Sequence, residues 1–121
     1  MTQERFKVAS LFCGIGGLDL GFEWAGFDVV WANDLAQAAV DSYTRNFGRQ
    51  ALLGDMSTMS LDEIPDADVL IGGPPCQSFS LLGQRRPHDE RGRLVYRFFE
   101  AVRAKQPRAF VMENVPGLAA S

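Results

Sequence analysis

The chain has 121 residues, enough for one domain, and with 46% hydrophobic and 22% charged residues it can bury a core. A membrane span is excluded because there is no apolar run of about 18 residues, and residues 1–7 do not form a signal peptide. The net charge is −3, and two cysteines are too few for a disulfide framework, so we expect a reducing, cytoplasmic setting.

The charge is unevenly distributed along the chain. Residues 1–83 hold 4 basic and 11 acidic side chains, whereas residues 84–121 hold 8 basic and 4 acidic ones. The basic side chains could position a phosphate backbone. They could equally form a solvated helix face balanced by Asp89, Glu90 and Glu100.

Apolar runs and helical spacing alternate along the chain. The patterns predict strands at 6–12, 27–32, 51–53, 68–71 and 109–112. They predict helices at 18–25, 35–46 and 94–105, a short helical turn near 60–64, and a polar loop over 77–92. Strands that alternate with helices form parallel sheets with right-handed crossovers. We therefore predict an α/β, Rossmann-like fold with strand order 3-2-1-4-5.

The first strand ends in Cys13-Gly-Ile-Gly-Gly17, and a helix follows. Glycines permit close approach to the backbone, and a helix N-terminus favours an anion, so this succession is typical of a cofactor-binding loop. The pattern alone is not specific, because the third glycine of the dinucleotide fingerprint G-x-G-x-x-G is missing.

The second and third strands end in acidic residues. Asp34 lies about 20 residues after the glycines, where α/β cofactor domains place a carboxylate for ribose hydroxyls. It could also be the N-cap of the helix at 35–46. Asp55 could meet an adenine amino group, or it could be a turn residue.

The fourth strand leads into Gly73-Pro-Pro-Cys-Gln-Ser-Phe-Ser80. The two prolines stiffen the approach to Cys76 and make the segment a poor strand or helix interior. A thiol presented in this way is typical of a nucleophile, although a lone cysteine is more often a small buried hydrophobe.

The fifth strand ends in Glu113-Asn114, a pair that is more often a cap or turn than an acid catalyst. In the predicted strand order, the ends of all five strands meet at one rim. The glycine turn and the cysteine loop would flank the crevice at the switch point between strands 1 and 4.

These motifs, in this order, resemble those of the DNA cytosine-5 methyltransferases. Phe12-x-Gly14-x-Gly16-Gly17 is similar to the family's S-adenosylmethionine loop, and the segment 73–80 is similar to its catalytic loop. Two further family motifs follow, Asp89-x-Arg91-Gly92-x-Leu94 and Glu113-Asn114-Val115. The resemblance covers nearly the whole chain.

The resemblance implies that Cys76 adds to carbon 6 of a cytosine flipped out of double-stranded DNA, and that carbon 5 takes a methyl group from S-adenosyl-L-methionine. Glu113 would contact ring nitrogen 3. The implied catalytic residues are Cys76, Glu113, Pro75 and Asn114. The implied cofactor-binding residues are Phe12, Gly14, Gly16, Gly17, Asp34, Leu35, Asp55, Met56, Pro74 and Leu94. No metal is implied, and we expect a bacterial, nucleoid-associated protein of restriction–modification.

The sequence departs from the family pattern in two ways. Asp34 stands where the family more often has Glu, and Leu35 stands where some members have an aromatic residue. The family's target-recognition region and closing motifs are not found among these residues. We therefore expect residues 1–121 to be the N-terminal part of the catalytic domain, as a fragment or a split subunit that acts with a complementing subunit.

Two other functions fit parts of the pattern. An S-adenosylmethionine-binding remnant or regulatory subunit without turnover would keep the glycine loop and Asp34 but would not need Cys76. A Rossmann oxidoreductase is disfavoured by the missing glycine and by the Pro-Pro-Cys segment, which hydride transfer does not require.

Overall fold

The computed structural model describes residues 5–74 and 90–113. The strands are β1 (Lys7–Leu11), β2 (Asp28–Asp34), β3 (Leu52–Leu53), β4 (Val69–Gly72) and β5 (Ala109–Met112). The helices are α1 (Gly17–Trp24), α2 (Gln37–Phe47) and α3 (Glu90–Lys105), with a short 3-10 turn at Leu61–Glu63.

The strands form one parallel sheet in the order β3-β2-β1-β4-β5. This confirms the predicted α/β fold and its strand order. β4 is buried along its whole length, as expected for a central strand of a parallel sheet whose two faces are both covered. β5 lies at the edge, where Phe110 and Val111 are exposed.

Alternate residues of the central strands pack on opposite faces of the sheet. On one face, Ala9, Leu11 and Leu70 form a cluster with Phe98 and Ala101 of α3. On the other face, Val8, Val29, Val69 and Ile71 pack against Leu18 and Phe22 of α1. The sheet therefore lies between helical layers, which leaves its carboxyl-terminal edge open for a site.

Two helix starts differ from the prediction by two residues or more. α2 begins at Gln37 rather than at 35, because β2 extends to Asp34 and Ala36 is still extended, with φ −87° and ψ 124°. α3 begins at Glu90 rather than at 94, so the predicted polar loop over 77–92 is too long at its end. The first turn of α3 is polar and has no apolar periodicity, which is why the pattern missed it. Residues 77–89 of that loop lie outside the described residues.

Within residues 5–74 and 90–113, no helix is long and apolar enough to cross a bilayer.

Candidate functional site

A cavity of about 190 Å³ opens at the carboxyl-terminal edge of the sheet. It is lined by Phe12, Gly14, Asp34, Leu35, Gly54, Asp55, Met56, Gly73 and Leu94. All of the lining residues except Gly54 and Gly73 were predicted to bind the cofactor, and they come from the ends of β1, β2, β3 and β4 and from α3.

A second cavity, of about 260 Å³, shares Phe12, Gly14 and Gly73 with the first one. Gly17 and Glu113 also line it. The Glu113 N–H donates to the Gly72 carbonyl at 2.9 Å, and its Oε2 lies 3.6 Å from the point that a Cβ on Gly73 would occupy. Glu113 is thus held beside the start of the segment that leads to Cys76.

Other predicted site residues lie elsewhere. Gly16 lines neither cavity and packs against Phe47 and Tyr43 on the far side of the loop. Pro74 is buried. The remaining predictions, Pro75, Cys76 and Asn114, lie outside the described residues.

Asp34 joins the glycine loop to the start of α2. Its Oδ2 accepts from the Gly14 N–H at 2.8 Å, and its Oδ1 accepts from the Ala36 N–H at 2.9 Å. The N-cap interpretation was wrong in its position, because Ala36 is the N-cap residue. Each carboxylate oxygen has capacity for a further hydrogen bond, so Asp34 could still accept from hydroxyl groups in the cavity.

Asp55 is a turn residue, and it also lines the cavity. Its Oδ1 accepts from the Ser57 N–H at 2.9 Å and from the Ser57 hydroxyl at 2.7 Å. These hydrogen bonds lower the pKa of the Asp55 carboxyl below its usual value. Among the described residues, Oδ2 has no hydrogen-bond partner, so it is available to a donor on a ligand.

Asn33 ties β2 to the loop that carries Asp55. Its side chain is fully buried, and Nδ2 donates to the carbonyls of Leu52 and Gly54, each at 3.1 Å. This role was not predicted from the sequence. The only available signal was a polar residue at the end of an otherwise apolar strand.

Phe12 adopts a left-handed backbone conformation, with φ 55°. This region is sparsely populated by residues other than glycine and costs free energy that the surrounding structure must supply. The turn moves the chain from β1 into the glycine loop and places Phe12 on the wall of both cavities.

Cys13 is the cysteine in the described part of the chain, and it is buried. Burial, and then the nearby charges of Asp19 and Asp34, raise the pKa of the Cys13 thiol to about 12. The thiol is protonated at neutral pH and is therefore a poor nucleophile. No chemistry was predicted for Cys13 from the sequence.

A buried polar network lies behind the glycine loop and was not predicted. Asp19 of α1 is 1% exposed, and it accepts from the Ser10 hydroxyl at 2.7 Å and from the Tyr43 hydroxyl at 2.5 Å. Arg49 donates to the Tyr43 oxygen at 2.9 Å and pairs with Glu23. The network links β1, α1 and α2, the three elements that hold the glycine loop in place.

Replacing Asp19 with alanine should lower the free energy of unfolding by about 3 kcal/mol, since two buried hydroxyls lose their acceptor. Asp41→Ala, at an exposed position on α2, is the matched control and should cost about 0.5 kcal/mol or less. Urea denaturation followed by circular dichroism measures both. Equal costs for the two variants would contradict the assigned role of Asp19.

The same network predicts a dependence of stability on pH. Burial raises the pKa of Asp19 in the folded state, and the hydrogen bonds from Ser10 and Tyr43 only partly offset it. As pH rises, the Asp19 carboxyl therefore keeps its proton in the folded state after the same carboxyl in the unfolded state has lost it, near pH 4. The stability of the wild type relative to Asp19→Asn should fall as pH rises from about 4 through the raised pKa, and a rise instead would contradict this sign.

A larger hollow, of about 480 Å³, lies at the opposite edge of the sheet. Its lining includes Lys7, Asp68 and Arg108, at the amino-terminal ends of β1, β4 and β5. Ligands in open parallel sheets bind at the carboxyl-terminal edge, so we assign the site to the two smaller cavities. Among residues 5–74 and 90–113, no group of three or more metal-ligating side chains comes together.

Comparison with known proteins places this geometry in a family. The family description for C-5 cytosine-specific DNA methylases matches residues 6–121. The Type II methyltransferase M.NgoFVII of Neisseria gonorrhoeae is 45% identical over 97% of this chain and 32% of its own length. The Type II methyltransferase M.FnuDI of Fusobacterium nucleatum is 42% identical over 93% of this chain and 33% of its own.

The solved structures agree with the sequence relatives. A crystal structure described as a DNA modification methyltransferase encoded within a prophage of E. coli matches 93% of this chain and 33% of its own, with a TM-score of 0.77 and 37% identity. The chain spans about a third of the length of the curated relatives that it matches. On the match over residues 6–121, the chain belongs to the family of C-5 cytosine-specific DNA methylases.

Proposed function

We propose that this chain forms the S-adenosylmethionine-binding part of a DNA cytosine-5 methyltransferase and carries its nucleophile, Cys76. The observation that supports this most strongly is the cavity of about 190 Å³, which combines apolar walls with two carboxylates beside a glycine loop. We call it the adenosine cavity, after its proposed ligand. Glu113 lines the adjoining cavity, next to the strand that leads to Cys76.

The residues of the adenosine cavity fit an adenosine group by their chemistry. Phe12, Leu35 and Leu94 offer apolar surface to the faces of a purine ring. Met56 is buried and belongs to the core cluster against which Phe12 and Leu94 pack. Ribose hydroxyls and the adenine amino group are hydrogen-bond donors, and carboxylates are acceptors. We propose that Asp34 accepts from the ribose hydroxyls and that Asp55 accepts from the amino group.

The same residues disfavour a nicotinamide dinucleotide. A pyrophosphate needs free backbone N–H groups and tolerates anions poorly. Here the Gly14 N–H is donated to Asp34, and a second carboxylate, Asp55, lines the cavity. S-adenosylmethionine contains no pyrophosphate, and its sulfonium carries a positive charge.

The proposed chemistry follows from the reactivity of cytosine. Carbon 5 is a poor nucleophile until the Cys76 thiolate adds to carbon 6, which converts the ring into an enamine. Glu113, close to ring nitrogen 3, would prevent negative charge from building up on the ring. When bound, S-adenosylmethionine supplies the electrophilic methyl group, and its sulfur keeps the electron pair of the broken bond. Loss of the proton on carbon 5 would then expel the Cys76 thiolate from carbon 6 and restore the aromatic ring. The cytosine must leave the DNA stack to reach both groups.

The proposal also assigns partners and location. The substrate is double-stranded DNA, and residues 1–121 are the N-terminal part of the catalytic domain. Sequence recognition would reside in segments other than these residues, carried by a longer polypeptide or by a complementing subunit. A protein with this task would act at the bacterial nucleoid, in the cytoplasm.

Calorimetric titration with S-adenosylmethionine tests the proposed cofactor site. We expect the purified chain to bind it and Asp55→Ala to weaken binding by roughly tenfold, because the amino group loses a charged acceptor. Asp62→Ala, at an exposed position in the 3-10 turn, is the matched control and should bind like the wild type. Preference for a nicotinamide dinucleotide, or equal affinity of the Asp55 variant, would contradict the assignment.

A further inference from the structure

Arg97 of α3 donates two hydrogen bonds to the loop that follows β3. Its Nε donates to the Met56 carbonyl at 2.7 Å, and its Nη2 donates to the Met59 carbonyl at 2.5 Å. Nη1 lies 3.4 Å from Glu100 on the same helix. The Arg97 side chain is only 18% exposed, so these are hydrogen bonds of a charged donor shielded from water.

The loop from Asp55 to Met59 is a single tight turn. The Asp55 carbonyl accepts from the N–H groups of Thr58 and Met59, at 3.1 and 2.8 Å, while the Asp55 carboxylate accepts from Ser57. These bonds set the shape of the turn but not its orientation against the rest of the molecule. A planar guanidinium that binds two carbonyls at once does set that orientation, because its donors are held in a rigid fork.

The orientation of this turn determines the shape of the adenosine cavity. Asp55 and Met56 are both part of the cavity wall. Met56 is 1% exposed and packs in the same cluster as Phe98 and Ala101 of α3. Apolar packing has no directional preference, so the two hydrogen bonds from Arg97 supply the direction that the packing lacks.

We propose that Arg97 is a positioning residue of the adenosine cavity. It orients the 55–59 turn so that the Asp55 carboxylate is presented to an adenine ring while Met56 stays buried in the core cluster, and it raises the affinity for adenosine-containing ligands without touching them. This inference rests on the proposed function, since it assigns a ligand of the same class to the same cavity.

The first test measures the turn itself and needs no ligand. Hydrogen exchange is followed at the amides of Ser57, Thr58 and Met59 in the wild type, in Arg97→Met and in the matched control Arg103→Met, at an exposed position on the same helix. We expect at least about tenfold faster exchange in Arg97→Met at these amides, with β4 amides unchanged and the control like the wild type. The exchange rates in Arg97→Lys should lie between those of Arg97→Met and the wild type, because one ammonium does not reproduce the two parallel donors of a guanidinium. Unchanged exchange in Arg97→Met overturns the inference.

The second test separates positioning from general stability by a double-mutant cycle. In calorimetric titrations with S-adenosylmethionine, Arg97→Met should weaken binding by roughly tenfold in the wild-type background, because fewer molecules hold the competent turn. In the Asp55→Ala background, Arg97→Met should weaken binding by less than about threefold, since most of the effect of Arg97 on the ligand passes through Asp55. The same loss in both backgrounds overturns the inference and leaves the proposed function standing. A wild-type chain that binds no S-adenosylmethionine overturns the proposed cofactor site instead, and the exchange data still decide whether Arg97 orients the turn.

Discussion

Replacing Cys76 with alanine is expected to lower methyl transfer to double-stranded DNA by at least about a thousandfold, because the proposed reaction activates carbon 5 of cytosine by adding this thiolate to carbon 6. Affinity for S-adenosylmethionine should stay within about twofold of the wild type, since the thiol serves the reaction and not the adenosine cavity. The measurement is incorporation of labelled methyl groups from S-adenosylmethionine into DNA.

Cys13→Ala is the matched control for this prediction, because it removes the other cysteine of the chain. Cys13 is buried and its pKa is raised to about 12, so its loss should cost methyl transfer no more than about tenfold, through packing alone. Turnover by Cys76→Ala at the wild-type rate would contradict the proposed chemistry. A wild-type chain that binds S-adenosylmethionine and transfers no methyl group would favour a cofactor-binding subunit or a requirement for a complementing subunit.

Replacing Gly16 with alanine is expected to lower the free energy of unfolding by about 2–4 kcal/mol and to weaken S-adenosylmethionine binding. Gly16 has φ 98°, a left-handed conformation that strains a residue with a Cβ. An added Cβ would also lie 2.7 Å from the Cζ of Phe47, whose ring stacks on Tyr43 with centroids 4.4 Å apart. Moving that ring disturbs the hydrogen bond from Tyr43 to Asp19 and the loop in front of it.

Two other glycines separate the causes of this effect. A Cβ at Gly14 would meet nothing within 4 Å, but φ is 58°, so Gly14→Ala should show the backbone strain alone, about 1 kcal/mol. Gly21 lies within α1, also with open space around it, and Gly21→Ala should be neutral or stabilising by up to about 1 kcal/mol. Urea denaturation ranks the three variants. A Gly16→Ala chain as stable as Gly14→Ala would show that the ring contact is unimportant.

Local patterns were sufficient to predict the sheet. β5 was predicted with its observed bounds, 109–112, and the strand order follows from the alternation of strands and helices. The reason is that apolar runs between turn residues record burial, and right-handed crossovers leave few topologies to choose from. Two helix starts were not predicted correctly, for different reasons. Before Gln37, β2 extends to Asp34 and Ala36 is still extended, whereas the first turn of α3, from Glu90, is polar and has no periodic signal.

Part of the candidate site could also be predicted from local patterns. The glycine loop, Asp34 and Asp55 could be identified from the sequence, since each stands just after a predicted strand and strand ends of a parallel sheet share one edge. Met56 was predicted only from the family resemblance. Their placement around one cavity is now visible, while their roles in binding and catalysis remain proposals.

By itself, the sequence determined the parallel α/β sheet, the order of its strands and the edge at which the functional residues gather. Only the tertiary structure decided how those residues are held, with Asp34 joining Gly14 to Ala36, Asp19 buried between Ser10 and Tyr43, and Arg97 bound to Met56 and Met59. These bonds join polar atoms that are distant in the chain. Such partners are set by the packing of helices against the sheet, and hydrophobic periodicity carries no information about which donor a buried acceptor will meet.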